Sequence, residues 1–341
     1  MKKSGIKDIA RETNLSISTV SRVINGKAKE YRIGEKSQKR VLEAAEKFNY
    51  NPSHAAANLR SGKSQTIALV VPTLSNPFFA SLASEINNDL RKEGYTALIS
   101  ESNENIELEM EILKTFQSRN IEGLIIVPCG DESDHITALQ KQGLPIVCLD
   151  RYFAELNIPY VSTNNYQGAY EGTKLLIEFG HKEILGIQGV KDSIPNQQRA
   201  LGFKAALKDI NIHRTNISGN DFSVQNGYIE TKLALRLNPN ISAIFAFSNT
   251  IALGCLKALN EENIRIPEDI SLICFDDHPY LDFLSTPLTC IKQPESDLAR
   301  IATRFLFGEI YKTSSGSTQV LLEAQIILRK SVAKCFSRNQ A

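Results

Sequence analysis

Within IKDIARETNLSISTVSRVINGKAKEYRI, residues 6–33, four short hydroxyl side chains and one arginine crowd into one segment: Ser16, Ser18, Thr19, Ser21 and Arg22. Hydroxyls this short can donate to phosphate oxygens or base edges without adding bulk. An arginine can bracket O6 and N7 of a guanine with two parallel N–H groups. The chemistry this set can do is to read duplex DNA. Any one of these residues alone is ordinary solvated surface, so the expectation rests on the set.

Such side chains need a slim helix that fits a major groove, held by a small helical core. Ile6, Ile9 and Ala10 mark one face of a first helix over 6–12. Ser16 can cap a second helix that runs to about Asn25 and stops at Gly26, with Val20 and Val23 turned to the core. A third helix over roughly 37–48 carries Val41, Leu42, Ala45 and Phe48 at helical spacing. Asn51-Pro52-Ser53 closes the unit, and SHAAANLRSGKS (53–64) reads as a linker of marginal helical potential.

From Thr66 short apolar runs alternate with amphipathic stretches. The expected strands are 66–71, 96–100, 123–127, 145–150, 183–188, 243–247 and 270–276, with a last candidate, VLLEAQIILR, at 320–329. Helices are expected near 77–92, 105–119, 168–179, 198–209, 225–237 and 250–262. Strand–helix alternation with nearly all-apolar strands implies parallel sheets covered on both faces, in two α/β lobes. Ligands of such folds sit beyond the carboxyl ends of the strands.

Charge separates the two regions. Residues 1–64 hold 14 Lys/Arg against 6 Asp/Glu, a balance of +8, which leaves 25 against 32, or −7, for the rest. A basic head on an acidic body fits a nucleic-acid-binding module fused to another function. The six cysteines form no C-x-x-C pair and mostly lie in apolar runs, so buried free thiols are expected. The sequence has no Gly-rich nucleotide loop, nucleophile elbow or metal-spaced His/Cys set, which argues against an enzyme and against a cofactor or metal. With no apolar signal segment or membrane-length run visible, a cytoplasmic, soluble regulator is expected over a secreted solute carrier.

The head segment, the following AEKFNYNPSHAAANLRSGKS and VVPTLSNPFFASL together resemble the lactose/galactose repressor (LacI/GalR) family, over essentially the whole chain. The resemblance implies an all-α helix-turn-helix domain (1–52), a hinge helix (53–64) and a periplasmic-binding-protein-like α/β sensor of two doubly wound lobes (65–341). One lobe would take about 65–164 and 294–323, the other about 165–293 and 324–341. It implies a homodimer on a roughly palindromic operator under allosteric control by a sugar or sugar-phosphate effector, with repression released by inducer the commoner family behaviour and corepression or activation the alternatives. Ile17, Ser18 and Arg22 would be the main base readers, within a DNA-facing set of Ser16, Ile17, Ser18, Thr19, Ser21, Arg22 and Asn25. In the hinge, Ala56, Leu59 and Arg60 would face DNA, with Leu59 as a minor-groove wedge. The 26–37 segment is longer than in lactose-type members and resembles the fructose-type loop. Its Lys27, Lys29 and Arg32 would meet phosphates or solvent.

For the sensor, the resemblance carries over Asn76, Phe78 and Phe79 of LSNPFF, Asp150, Arg199, Phe222, Asp276 and Gln293 as effector contacts. An arginine fork and carboxylates can bind vicinal hydroxyls, while an aromatic face covers a sugar's C–H surface. The alternatives are a helix cap or structural ion partner for each strand-end Asp, and simple core for Phe222. The chain departs from the family where Ser248-Asn249 stands in place of the usual Asn-Asp, which puts Ser248 at the cleft, and where Val127 replaces a polar residue.

Overall fold

The computed structural model describes residues 5–50, 64–213, 215–313 and 318–335. The chain forms two compact units, 1–64 and 65–341. The expected hinge helix, with Ala56, Leu59 and Arg60, lies outside the described residues.

The first unit is three helices: α1 (Ile6–Thr13), α2 (Ile17–Ile24) and α3 (Glu35–Lys47). Asp8 reaches back to accept from the Gly5 N–H, and Asn14 ends α1 in the left-handed region. Ser16 caps α2, its hydroxyl accepting from the Thr19 N–H at 3.0 Å. Ile9, Ala10, Val20, Val23, Val41 and Ala44 form the core, joined by Ala28 of the loop. Leu42, expected on the buried face, is 56% exposed, because Val41, Ala44, Ala45 and Phe48 already complete the stripe.

The second unit holds two six-stranded sheets of matching design. In the first lobe β1 (Thr66–Val71), α4 (Pro77–Lys92), β2 (Thr96–Glu101), α5 (Ile106–Ser118), β3 (Gly123–Ile126), α6 (Asp134–Lys141), β4 (Ile146–Leu149) and β5 (Tyr160–Thr163) follow in turn. The second lobe runs α7 (Asn165–Glu178), β6 (Ile184–Ile187), α8 (Ile194–Asp209), β7 (Asn216–Ser218), α9 (Val224–Leu237), β8 (Ala243–Ala246), α10 (Asn249–Glu261), β9 (Ser271–Phe275) and β10 (Thr289–Lys292). The chain then returns through α11 (Glu295–Tyr311) and β11 (Gln319–Leu322) to the first sheet, and ends with β12 (Gln325–Ile327) on the second.

The sheet orders are β11-β5-β4-β3-β1-β2 and β12-β10-β9-β8-β6-β7. Every pairing is parallel except β10 with β12. The 320–329 run, expected as one strand candidate, is two short strands in different sheets, broken at Glu323-Ala324. Polar-to-apolar alternation alone could not show that its halves pair with different neighbours.

Each sheet is buried on both faces by its own pair of apolar clusters, which is why strands such as AIFA and SLICF carry almost no polar residue. The helices pack closely where glycine permits. A Cβ on Gly202 of α8 would lie 2.2 Å from the Tyr166 carbonyl oxygen of α7. All six cysteines are free thiols, five of them buried.

Candidate functional site

Ser18 and Arg22 of α2 and Asn25 at its C-terminal end recur at three- and four-residue spacing and share the exposed face, with Ser16 beside them and Ile17 47% exposed. Thr19 is half-buried. Ser21 departs from the expected set: it lies at the edge of the buried face, and its hydroxyl accepts from the Asn25 amide at 3.2 Å. The same amide donates to the Ser21 carbonyl at 2.6 Å. The Arg22 guanidinium lies over the Tyr31 ring, 3.9 Å from its centroid.

In the second unit, a small, partly open pocket of about 20 Å³ lies between the lobes. Asn76, Phe78, Phe79, Asp150 and Arg151 line it from the first lobe; Pro195, Arg199, Phe222, Ser248 and Asp276 line it from the second, and Gln293 from the crossing between them. All nine sensor residues named from the sequence therefore meet at one place, beyond the carboxyl ends of the strands, although they span 218 positions of chain. A space of this size holds about one water, so any larger occupant requires the walls to part.

Local structure fixes each side chain. Asn76 caps α4 by accepting from the Phe78 N–H, with Pro77 in the first turn, and Phe78 and Phe79 meet edge to face at 5.1 Å. Asp150 follows β4 and Asp276 follows β9, which occupy corresponding places in the two sheets. Both sit in the left-handed region, with φ of 63° and 70°. Each lobe thus turns one carboxylate at the same strand end.

Arg199, from α8, is 3% exposed and held on several sides. Its Nε donates to Asn165 Oδ1 at 2.7 Å and one Nη to the Phe247 carbonyl at 2.6 Å. The other Nη stands 3.9 Å from Asp276, and the Phe275 ring lies beneath the guanidinium. Gln293 Nε2 donates to Asp276 Oδ1 at 2.6 Å. Asp276 is therefore both a structural ion partner and a cavity wall.

Burial pushes the Asp150 carboxyl up to about 6, against the pull of Arg199 and Arg151 and with a further push from Asp276. Asp276 is also raised by burial, opposed by Arg199 and by the bond from Gln293. Burial lowers Arg199, and the two aspartates counter it. Asp150 Oδ1 and Gln293 Oε1 are buried with no hydrogen-bond partner.

Phe222 is half-buried. Its ring borders the cavity and packs on the second lobe's core, close against Gly189. Ser248 caps α10, its hydroxyl accepting from the Ile251 N–H at 3.1 Å. Sequence reasoning missed Arg151, which Glu104 holds in a two-bond fork at 2.6 and 2.7 Å, and Pro195. Arg151 was adjacent to an assigned residue, but only the fold brings it a partner 47 positions away. Asn249 is wholly buried with neither amide atom partnered. Among the described residues no group of three or more His, Cys, Asp or Glu could hold a metal ion, and no helix is long and apolar enough to cross a membrane.

Comparison with known proteins covers both units. Residues 64–320 match the family of periplasmic binding proteins and the sugar-binding domain of the LacI family. Residues 5–53 match the bacterial regulatory proteins of the lacI family. The chain is 32% identical to the ribose operon repressor of Halalkalibacterium halodurans, over 96% of each. It is 30% identical to the HTH-type transcriptional repressor PurR of Aliivibrio fischeri, over 96% of this chain and 98% of that one. A LacI family transcriptional regulator from Enterococcus faecium, solved with bound ribose, matches with a TM-score of 0.73 at 28% identity, over 80% of this chain and 100% of that one. The lac repressor dimer bound to operator and the anti-inducer ONPF has the same fold: TM-score 0.86, 23% identity, 97% of this chain and 100% of that one.

Proposed function

The chain belongs to the LacI family of bacterial regulatory proteins, and on that premise we propose that its effector is a neutral polyhydroxyl compound of sugar size, not a phosphate ester. It is a sequence-specific DNA-binding transcription regulator, not an enzyme, and it works in the cytoplasm, where its operator is. Ser18, Arg22 and the exposed neighbours on α2 read the operator, two heads of a homodimer taking two half-sites. Residues 53–64 couple them to the sensor. Named relatives are repressors, which favours repression relieved or strengthened by the effector.

The observation that carries the effector class is the surplus of unpaired acceptors in the cleft. Asp150 Oδ1 and Gln293 Oε1 have no donor, whereas both guanidiniums are committed to partners. A ligand that donates hydrogen bonds relieves buried acceptors whose desolvation is otherwise uncompensated. Sugar hydroxyls do this, and the Phe78, Phe79 and Phe222 rings offer apolar surface to ring C–H groups. A phosphate dianion would instead meet two carboxylates. The ribose-bound regulator from Enterococcus faecium adds weight to a pentose.

In a two-state scheme with open and closed arrangements of the lobes, effector shifts the balance between them through its differential contacts. Titration calorimetry of the full-length protein with ribose, other neutral pentoses and hexoses, and their phosphate esters tests this. A neutral sugar should bind at least about tenfold more tightly than its own phosphate ester. Tighter binding of the esters overturns the acceptor argument.

A further inference from the structure

We propose that Tyr31, in the loop between α2 and α3, is a specificity-determining positioning residue that presents the Arg22 guanidinium edge-on to a base. This rests on the reading of Arg22 as a base reader and adds to it a second residue, nine positions away.

The loop is a folded support. Gly26 turns with φ of 71°, and Lys27 N–H donates to the Arg22 carbonyl at 2.9 Å, so the loop starts directly beneath the arginine. Ala28 is buried in the head's core and Ile33 packs against it. Tyr31 N–H donates to the Lys27 carbonyl, Ile33 N–H donates to the Ala28 carbonyl at 2.9 Å, and Gln38 Nε2 ties down the Ile33 carbonyl at 2.7 Å. Tyr31 is thereby held at the surface, 45% exposed, with its ring under Arg22 at 3.9 Å.

A cation–π stack uses the face of the guanidinium and none of its N–H groups, which point outward in the plane. Among the described residues the Arg22 guanidinium has no ion pair or hydrogen bond to compete with a base, only the stack on Tyr31. Guanine recognition needs two coplanar N–H groups at fixed orientation. An unstacked arginine would lose several rotatable bonds on engaging the base. Tyr31 removes part of that loss in advance.

The test uses full-length protein, the duplex that the wild type enriches from a random-sequence pool, and random duplex as reference, all at one salt concentration. The ratio of specific to random-duplex affinity should fall roughly 5- to 30-fold in Tyr31→Ala, taking an exposed stack in each of two heads. Random-duplex affinity and the helical circular dichroism of the protein should stay as in the wild type. Tyr31→Phe, which keeps the ring and loses the hydroxyl, should retain the wild-type ratio. In an Arg22→Ala background, Tyr31→Ala should change nothing further. An unchanged or raised ratio in Tyr31→Ala overturns the proposal. So does a Tyr31→Phe loss equal to that of Tyr31→Ala, or an undiminished Tyr31 effect without Arg22, since either assigns Tyr31 a contact of its own. If Arg22→Ala alone leaves the ratio intact, the reading of Arg22 fails and takes this inference with it; if Arg22→Ala lowers the ratio and Tyr31→Ala does not, only the role of Tyr31 fails.

Discussion

At Asp150 a single carboxyl sets stability against binding. Its folded-state value of about 6 lies above the ordinary 3.8, because burial outweighs the two arginines. Folding therefore favours the protonated form. That contribution is full below about pH 4 and is lost as pH rises through about 6. At neutral pH the ionised group costs roughly 3 kcal/mol relative to acid, about two units at 1.36 kcal/mol each. Asparagine tolerates the left-handed backbone here, whereas alanine would strain it. Asp150→Asn should accordingly melt higher than wild type at pH 7, with the difference vanishing near pH 4. It should also bind effector at least about tenfold more weakly, from the lost charged acceptor. Equal melting of the two proteins at both pH values would refute the burial argument. All nine assigned cleft residues could be named from the sequence through a family pattern, but their chemistry could not. Whether a strand-end Asp is a cap, an ion partner or a ligand acceptor depends on what faces it, and for Asp276 that is Gln293 and Arg199. Arg151 escaped because its value as a cavity wall depends on Glu104 holding it still.

Elements bring Arg199 and Asn165 together by letting two helix backbones touch. The α7–α8 crossing admits no side chain at Gly202, where a Cβ would stand 2.2 Å from Tyr166 O and 2.9 Å from Tyr170 N. Backbone atoms cannot swing aside as a side-chain tip can, so Gly202→Ala must push the helices apart. Overpacking of this kind costs about 1–3 kcal/mol, against which alanine recovers up to about 1 kcal/mol of helix propensity. The variant should unfold at lower urea and bind effector more weakly, because Arg199 Nε loses its 2.7 Å contact. A higher urea midpoint would remove the crossing from the account of the site. The strongly periodic elements were legible: α4 runs Pro77–Lys92 as its apolar spacing requires, and every strand expected before 277 exists. The elements not anticipated were mostly short, such as β7, β5 and α6, where three to eight residues carry too little periodicity. The long α11, not among the expected helices, does display Leu298, Ala302 and Phe305 at helical spacing, so its signal is present in the sequence.

At the scale of the whole molecule, charge and site are distributed between two separately compact units. The exposed residues of α2, proposed to face DNA, lie in the part that carries +8, and every cavity-lining residue lies in the part that carries −7. Screening confines surface charge to about 10 Å at ordinary salt, so an acidic sensor gains nothing from a duplex except through the basic head. The two activities should therefore separate on cutting the chain. A fragment of residues 65–341 should bind effector as the full-length protein does without DNA, because it keeps Asp150, Arg199, Asp276 and Gln293 with their supports. It should bind random duplex at no salt concentration tested. Read as the proposed homodimer with several Lys/Arg–phosphate contacts per head, the full-length protein should lose roughly 10³–10⁵ in operator affinity between about 50 and 200 mM salt. Gel shift for DNA and calorimetry for effector check both halves on one preparation. DNA binding by the fragment would mean that the sensor itself carries a nucleic-acid surface. A weak salt slope in the full chain would mean that base contacts, not the basic head, supply most of the affinity.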